Sequence, residues 1–103
     1  MDIIINHDAN YPAYSVAYTG TAGNTTAWNV DGQGVKGVFL WSTTDCYVRV
    51  GTSAVATSAD LPLPAYTPIT LPINRVDVIE TFRVSAIQIS AGGTIYAKPI
   101  FNP

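Results

Sequence analysis

From Val35 to Pro103 the chain is a succession of short β-rich runs, broken every few residues by Gly, Pro, Thr or Asp and sparse in charge. No segment shows convincing helical spacing over eleven residues, so a helix has no distinct face to bury. Val38-Phe39-Leu40-Trp41 passes through Ser42-Thr43-Thr44-Asp45 into Cys46-Tyr47-Val48-Arg49-Val50. Phe82 to Ile89 passes through Ser90-Ala91-Gly92-Gly93 into Thr94-Ile95-Tyr96-Ala97-Lys98. Each pair reads as a β-hairpin, two extended runs joined by turn residues.

The rest of the chain adds strands of the same kind. Tyr14, Val16 and Tyr18 alternate with Ala13, Ser15 and Ala17, which predicts a strand within Tyr11 to Thr19. Gly20 to Asn24 is a loop, Thr25 to Val30 a strand containing Trp28, and Asp31-Gly32-Gln33-Gly34 a turn. Further strands are expected at 36–42, 46–51, 69–73 and 75–78. Cys46, Val48 and Val50 point one way and Tyr47 and Arg49 the other, as in a sheet with one wet face. Pro62, Pro64 and Pro68 remove backbone donors, so 51–68 cannot be a central strand. A connection that long crosses between sheets or carries function. In 82–89 the phase changes, with Phe82, Val84 and Ala86 followed by Ile87 and Ile89. A β-bulge near Ala86-Ile87 would return both sets to one face.

Together these give an all-β chain, a single-domain antiparallel β-sandwich of about seven to eight strands, jelly-roll or immunoglobulin-like. Residues 13–103 form its body, and 1–12 an N-terminal arm or short edge strand. The expected core takes Phe39 or Trp41, Val48, Val84, Ile87 and Ile95.

Composition narrows what such a sandwich does. With 103 residues there is room for one domain, burying roughly two-thirds of the unfolded chain's surface. Charged residues are 12% of the chain, about half the usual ~25%. Thr, Ser, Asn and Tyr take their place, a surface that suits a subunit covered by neighbours. The net charge is −2, and Lys36, Arg49, Arg75, Arg83 and Lys98 stand singly, so nucleic acid is not an expected partner. Arg49 and Arg83 could share one sheet face. No run approaches the ~20 apolar residues of a membrane span. Asp2 and the short Ile3-Ile4-Ile5 do not make a signal peptide. One cysteine allows no internal disulfide, in keeping with folding in a reducing cytoplasm.

Residues that could carry chemistry are few. His7 is the sole histidine and has no visible nucleophile or orienting partner, which also leaves a zinc site without ligands. Cys46 is in phase with Val48 and Val50, the pattern of a core thiol, and Asp45 before it reads as a turn acceptor. Asp77 and Glu80 have the spacing of paired carboxylates but read as a solvated turn. No EF-hand-like loop is present. No catalytic, cofactor or metal residue is therefore expected. Asn24-Thr25-Thr26 matches a glycosylation acceptor, a chance match without a secretory signal. Trp28, Trp41 and the tyrosines at 11, 14, 18, 47, 66 and 96 have binding potential. They can fill the core, form a subunit interface, or stack on sugar rings.

Leu40 to Ala97 resembles small structural proteins of tailed bacteriophages found in capsid-decorating and other virion-surface roles. The resemblance lies in the order of elements: Cys46 to Gly51, the Thr/Ala/Ser/Pro stretch Thr52 to Leu63, Ile69 to Ile73, the Asp77 region, and Val84 to Thr94. It implies a non-enzymatic decoration (cement) protein on the virion surface, made in the host cytoplasm. Its partners would be the major capsid protein or another virion protein, and itself as a dimer or trimer. Ile3, Ile4 and Ile5 in the arm would add a strand to a partner's sheet edge, with Tyr11, Tyr14 and Tyr66 as further contact residues. The alternative is a carbohydrate- or host-binding module of a fibre or spike, its site in the 51–68 loop.

Overall fold

The computed structural model describes residues 12–29, 36–73 and 81–100. Nine strands occupy them: β1 Tyr14–Tyr18, β2 Gly23–Asn24, β3 Trp28–Asn29, β4 Gly37–Ser42, β5 Cys46–Gly51, β6 Leu61–Leu63, β7 Ile69–Pro72, β8 Thr81–Gln88 and β9 Gly93–Ile100. There is no helix among the described residues. All pairings are antiparallel, and they make two sheets, β1-β9-β4-β7 and β2-β8-β5-β6 with β3 also on β8. The chain is an all-β sandwich.

β2 and β3 lie along the same neighbour, pairing at Gly23↔Ala86 and Trp28↔Phe82, and act as one interrupted edge strand. Thr25 bridges the interruption. Its N–H donates to the Val84 carbonyl (2.9 Å) and its buried hydroxyl accepts the Val84 N–H (3.0 Å). Counting β2 and β3 as one gives eight positions, ordered 1-8-3-6 in one sheet and 2-7-4-5 in the other. That order is a jelly roll, two interleaved Greek keys, and it decides against the immunoglobulin-like alternative.

Neither expected hairpin forms. β4 belongs to the first sheet and β5 to the second; β8 belongs to the second and β9 to the first. Both short connections are arches between the layers. The same Ser, Thr, Asp and Gly residues serve an arch as well as a hairpin, because either must reverse the chain within a few residues. The two arches sit side by side. The Thr43 N–H donates to the Thr94 carbonyl (3.0 Å), the Thr94 N–H to the Thr43 hydroxyl (2.9 Å), and the Thr44 hydroxyl to the Ala91 carbonyl (3.1 Å). The Tyr18 phenol reaches in to donate to the Thr44 carbonyl (2.9 Å) and lies 2.7 Å from the Thr44 hydroxyl. A β-carbon at Gly93 would collide with the Thr43 and Thr44 hydroxyls and the Tyr18 oxygen, so glycine is required where the arches meet.

Between the sheets, period-two alternation selects the core: Tyr18, Val38, Leu40, Cys46, Val48, Phe82, Val84, Ala86, Ile95 and Ala97 are buried. Val38 and Leu40 take the inward positions expected for Phe39 or Trp41. The register from Cys46↔Gln88 to Gly51↔Arg83 is unbroken, so β8 has no bulge at Ala86-Ile87. Ile87 instead stands half-buried on the outer face opposite Tyr47, and Ile89 is exposed. Trp28 is sandwiched between Tyr14 (ring centroids 5.0 Å) and Phe82 (5.1 Å), and its indole N–H donates to the Pro12 carbonyl (2.7 Å). β6, with Pro62 opposite Tyr47, is an edge strand, as its proline requires. Residues 64–68 then carry the chain across to β7. The strand expected at 75–78 lies outside the described residues.

Candidate binding surface

The outer faces of the two sheets differ in what the chain itself lays over them. On the second sheet, residues 52–60 fold back across β8, burying Ala54 and Ala56. The contacts are polar and specific. The Arg83 Nε–H donates to the Ala54 carbonyl (2.9 Å) and the Ala56 N–H to the buried Ser85 hydroxyl (2.8 Å). That hydroxyl in turn donates to the Asn24 side-chain carbonyl (2.6 Å). Arg49 and Arg83 do share this face, on neighbouring strands. Arg49 faces Asp60 at 3.7 Å, a solvent-screened pair of little energetic weight.

Among the described residues, nothing of this kind covers the outer face of the first sheet. Alternation sends Phe39 and Trp41 of β4 and Thr94, Tyr96 and Lys98 of β9 to that side, with Ser15 and Ala17 of β1. Trp41 stands directly opposite Tyr96, and their rings stack at 4.6 Å and 20°. Tyr66, from the loop between β6 and β7, covers the other flank of Trp41 at 5.9 Å. The result is a row of three rings in the order Tyr66, Trp41, Tyr96. Tyr66 is 67% exposed and Tyr96 39%. Beyond Tyr96 the surface steps down onto small side chains, because its cross-strand neighbour is Ser15, with Ala13 and Ala17 on either side. Ala13, Phe39, Trp41, Tyr96, Ala97 and Lys98 line an open groove of about 280 Å³ here.

Tyr66 is held in place at a conformational cost. Its φ of 56° is left-handed, a region that bulky residues rarely enter. Two hydrogen bonds impose it: the Tyr66 N–H donates to the Ser42 carbonyl (2.8 Å) and the Ala65 N–H to the Asp45 carboxylate (2.8 Å). Asp45, expected to close its own turn, thus ties the 64–68 loop to the arch after β4. Cys46 is buried, and burial raises its thiol pKa above the ordinary value, which keeps it un-ionised. Burial likewise raises that of the Tyr18 phenol.

Of the residues singled out in the sequence for partner contact, Tyr66 lies in the exposed row and Tyr14 is half-buried against the core ring Trp28. Ile3, Ile4, Ile5 and Tyr11 lie outside the described residues, as do His7, Asp77 and Glu80. Trp41 and Tyr96 stood among the aromatics with binding potential, but the sequence reading did not single them out for partner contact. The alternation of Ile95 and Ala97 with Tyr96 and Lys98 carries the signal for Tyr96. Trp41 is obscured because Val38-Phe39-Leu40-Trp41 is apolar in both phases. Comparison with protein-family models finds no match to the chain, and neither do comparisons with curated proteins and solved structures.

Proposed function

We propose that this chain is a non-enzymatic structural protein of a tailed-phage virion, a decoration protein that binds the outside of the capsid and stabilises the shell. The observation that carries the reading is the jelly-roll strand order, an architecture used for capsid and lectin domains, in a chain with few charges to keep neighbours apart. The resemblance of Leu40 to Ala97 to phage virion proteins points the same way. Attachment would run through the segment before Pro12, whose Ile3, Ile4 and Ile5 suit strand addition to a capsid-protein edge, with self-association as a dimer or trimer.

Co-sedimentation of the purified protein with shells lacking it, followed by heating, tests this. Stoichiometric binding and a higher rupture temperature are expected, and deletion of residues 1–10 should weaken attachment while the β-body stays folded. Absence of binding to intact shells would sink the proposal. A second reading, a carbohydrate- or host-binding module of a fibre or spike, is favoured by the exposed row Tyr66-Trp41-Tyr96. Its site would be the sheet face rather than the 51–68 loop alone, to which the row owes only Tyr66.

A further inference from the structure

We infer that the groove beside Tyr96 is a binding site for a neutral saccharide, one or two pyranose rings of a longer glycan. The inference deepens the carbohydrate reading of the aromatic row and does not depend on where in a virion the protein sits. Tyr96 gives one ring face to Trp41, which leaves the other turned towards β1. The groove runs beside it, from Phe39 and Trp41 of β4 to Ala13 of β1, and leaves room for a flat ligand against the rings. Pyranoses carry a C–H-rich face that packs on aromatic rings and a rim of hydroxyls that needs hydrogen-bonding groups. The Tyr96 phenol and the Lys98 ammonium are the polar side-chain groups among the residues that line the groove.

Three observations select this occupant. At about 280 Å³ the groove is just below the ~300–1,000 Å³ of small-molecule sites, the scale of one or two sugar rings. Among the described residues no carboxylate lines the groove, and its one charged side chain, Lys98, is a donor that suits sugar hydroxyl oxygens. The left-handed backbone at Tyr66 holds the far end of the row against Trp41 in advance of binding, which reduces the ordering cost of an exposed site. Among the described residues, the 52–60 loop covers the opposite sheet face and no segment covers this one.

The two tryptophans supply a direct test. Trp28 is 1% exposed, so aqueous iodide quenches Trp41 alone. Cellotetraose, maltotetraose and chitotetraose are titrated in turn against the intact protein, following protection of Trp41 from iodide and confirming binding by calorimetry. The expected result is saturable protection by at least one of them. Tyr96→Ala and Trp41→Ala should lower its affinity at least ~10-fold, with near-ultraviolet circular dichroism of the buried aromatics confirming the fold. Ala13→Phe, which fills the groove but keeps all three rings, should abolish binding. No protection by any of the three sugars would overturn the inference, as would binding indifferent to these substitutions. Loss of shell attachment in Trp41→Ala would overturn it too, by making the face a capsid contact. Retained attachment with lost sugar binding separates this site from the decoration role, and failure of attachment in the unmodified protein leaves sugar binding intact.

Discussion

Each tryptophan of this chain is the centre of a three-ring row, and the two rows meet opposite fates. Trp28 lies between Tyr14 and Phe82, with centroids 5.0 and 5.1 Å away, closed inside the sandwich. Trp41 lies between Tyr66 and Tyr96, at 5.9 and 4.6 Å, on the outside of a sheet. The inner row draws its stability from area removed from water and from an indole N–H satisfied by the Pro12 carbonyl. The outer row has nearly the same ring geometry without that burial, so its rings remain available to another molecule. Aromatic stacking therefore does not tell core from site in this fold. What tells them apart is the phase of the strand that presents the ring.

The largest effect expected from this contrast is at Trp28. Trp28→Ala should cost about 3–5 kcal/mol in urea or guanidinium unfolding, enough to threaten a domain of ordinary stability. Trp41→Ala should cost no more than about 1.5 kcal/mol, the scale of a ring pair beyond its burial. Equal losses at the two positions would break the comparison. Next comes the cover of the second sheet. Ser85→Ala strands the Ala56 N–H and removes the tie to Asn24, and should cost about 1–3 kcal/mol. Amide exchange should then quicken through 52–60 more than in β4 or β9; no local change would mean that the loop is held by other contacts. The smallest effect belongs to Tyr66→Gly. Relief of the left-handed backbone offsets part of the lost contact with Trp41, so stability should move by less than about 1 kcal/mol. Iodide quenching of Trp41 should nevertheless rise, which sharpens the view that Tyr66 shields rather than supports it.

The strands themselves were legible because period two is a local signal: β5 matches the expected 46–51, and β4 and β8 lie within a residue or so of the runs read from the sequence. Cys46 in the core followed from its phase with Val48 and Val50. Strand pairing was not legible in the same way. Ser42 to Asp45 and Ser90 to Gly93 reverse the chain equally well within a sheet or between sheets, and the choice is made by contacts as distant in sequence as Tyr14 with Ala97. The change of phase in β8 invited a bulge because apolar Ile87 was assumed to face inward, whereas the outer face takes it half-buried. The site was half legible. Tyr66 could be named as a binding residue, but its left-handed backbone sits in Ala-Tyr-Thr, where no Gly or Asn announces it, and its partners Trp41 and Tyr96 come from two other strands.

The place of β9 bears on how such a chain is made. It is the last described strand to be synthesised, yet it lies in the interior of its sheet, between β1 and β4. Until it emerges, β1 has no partner among the described strands of its own layer and β4 has only β7. Nearly every closure in this topology joins residues far apart in sequence, which places folding in the slow regime of all-β sandwiches, about milliseconds to seconds. During that interval a growing polypeptide poor in charge exposes Tyr14 to Tyr18 as an unpaired strand, the kind of edge on which chains pair wrongly. Translation of β9 is thus the step that commits the two sheets to their order, and slowing it should raise aggregation before it lowers the stability of the finished protein.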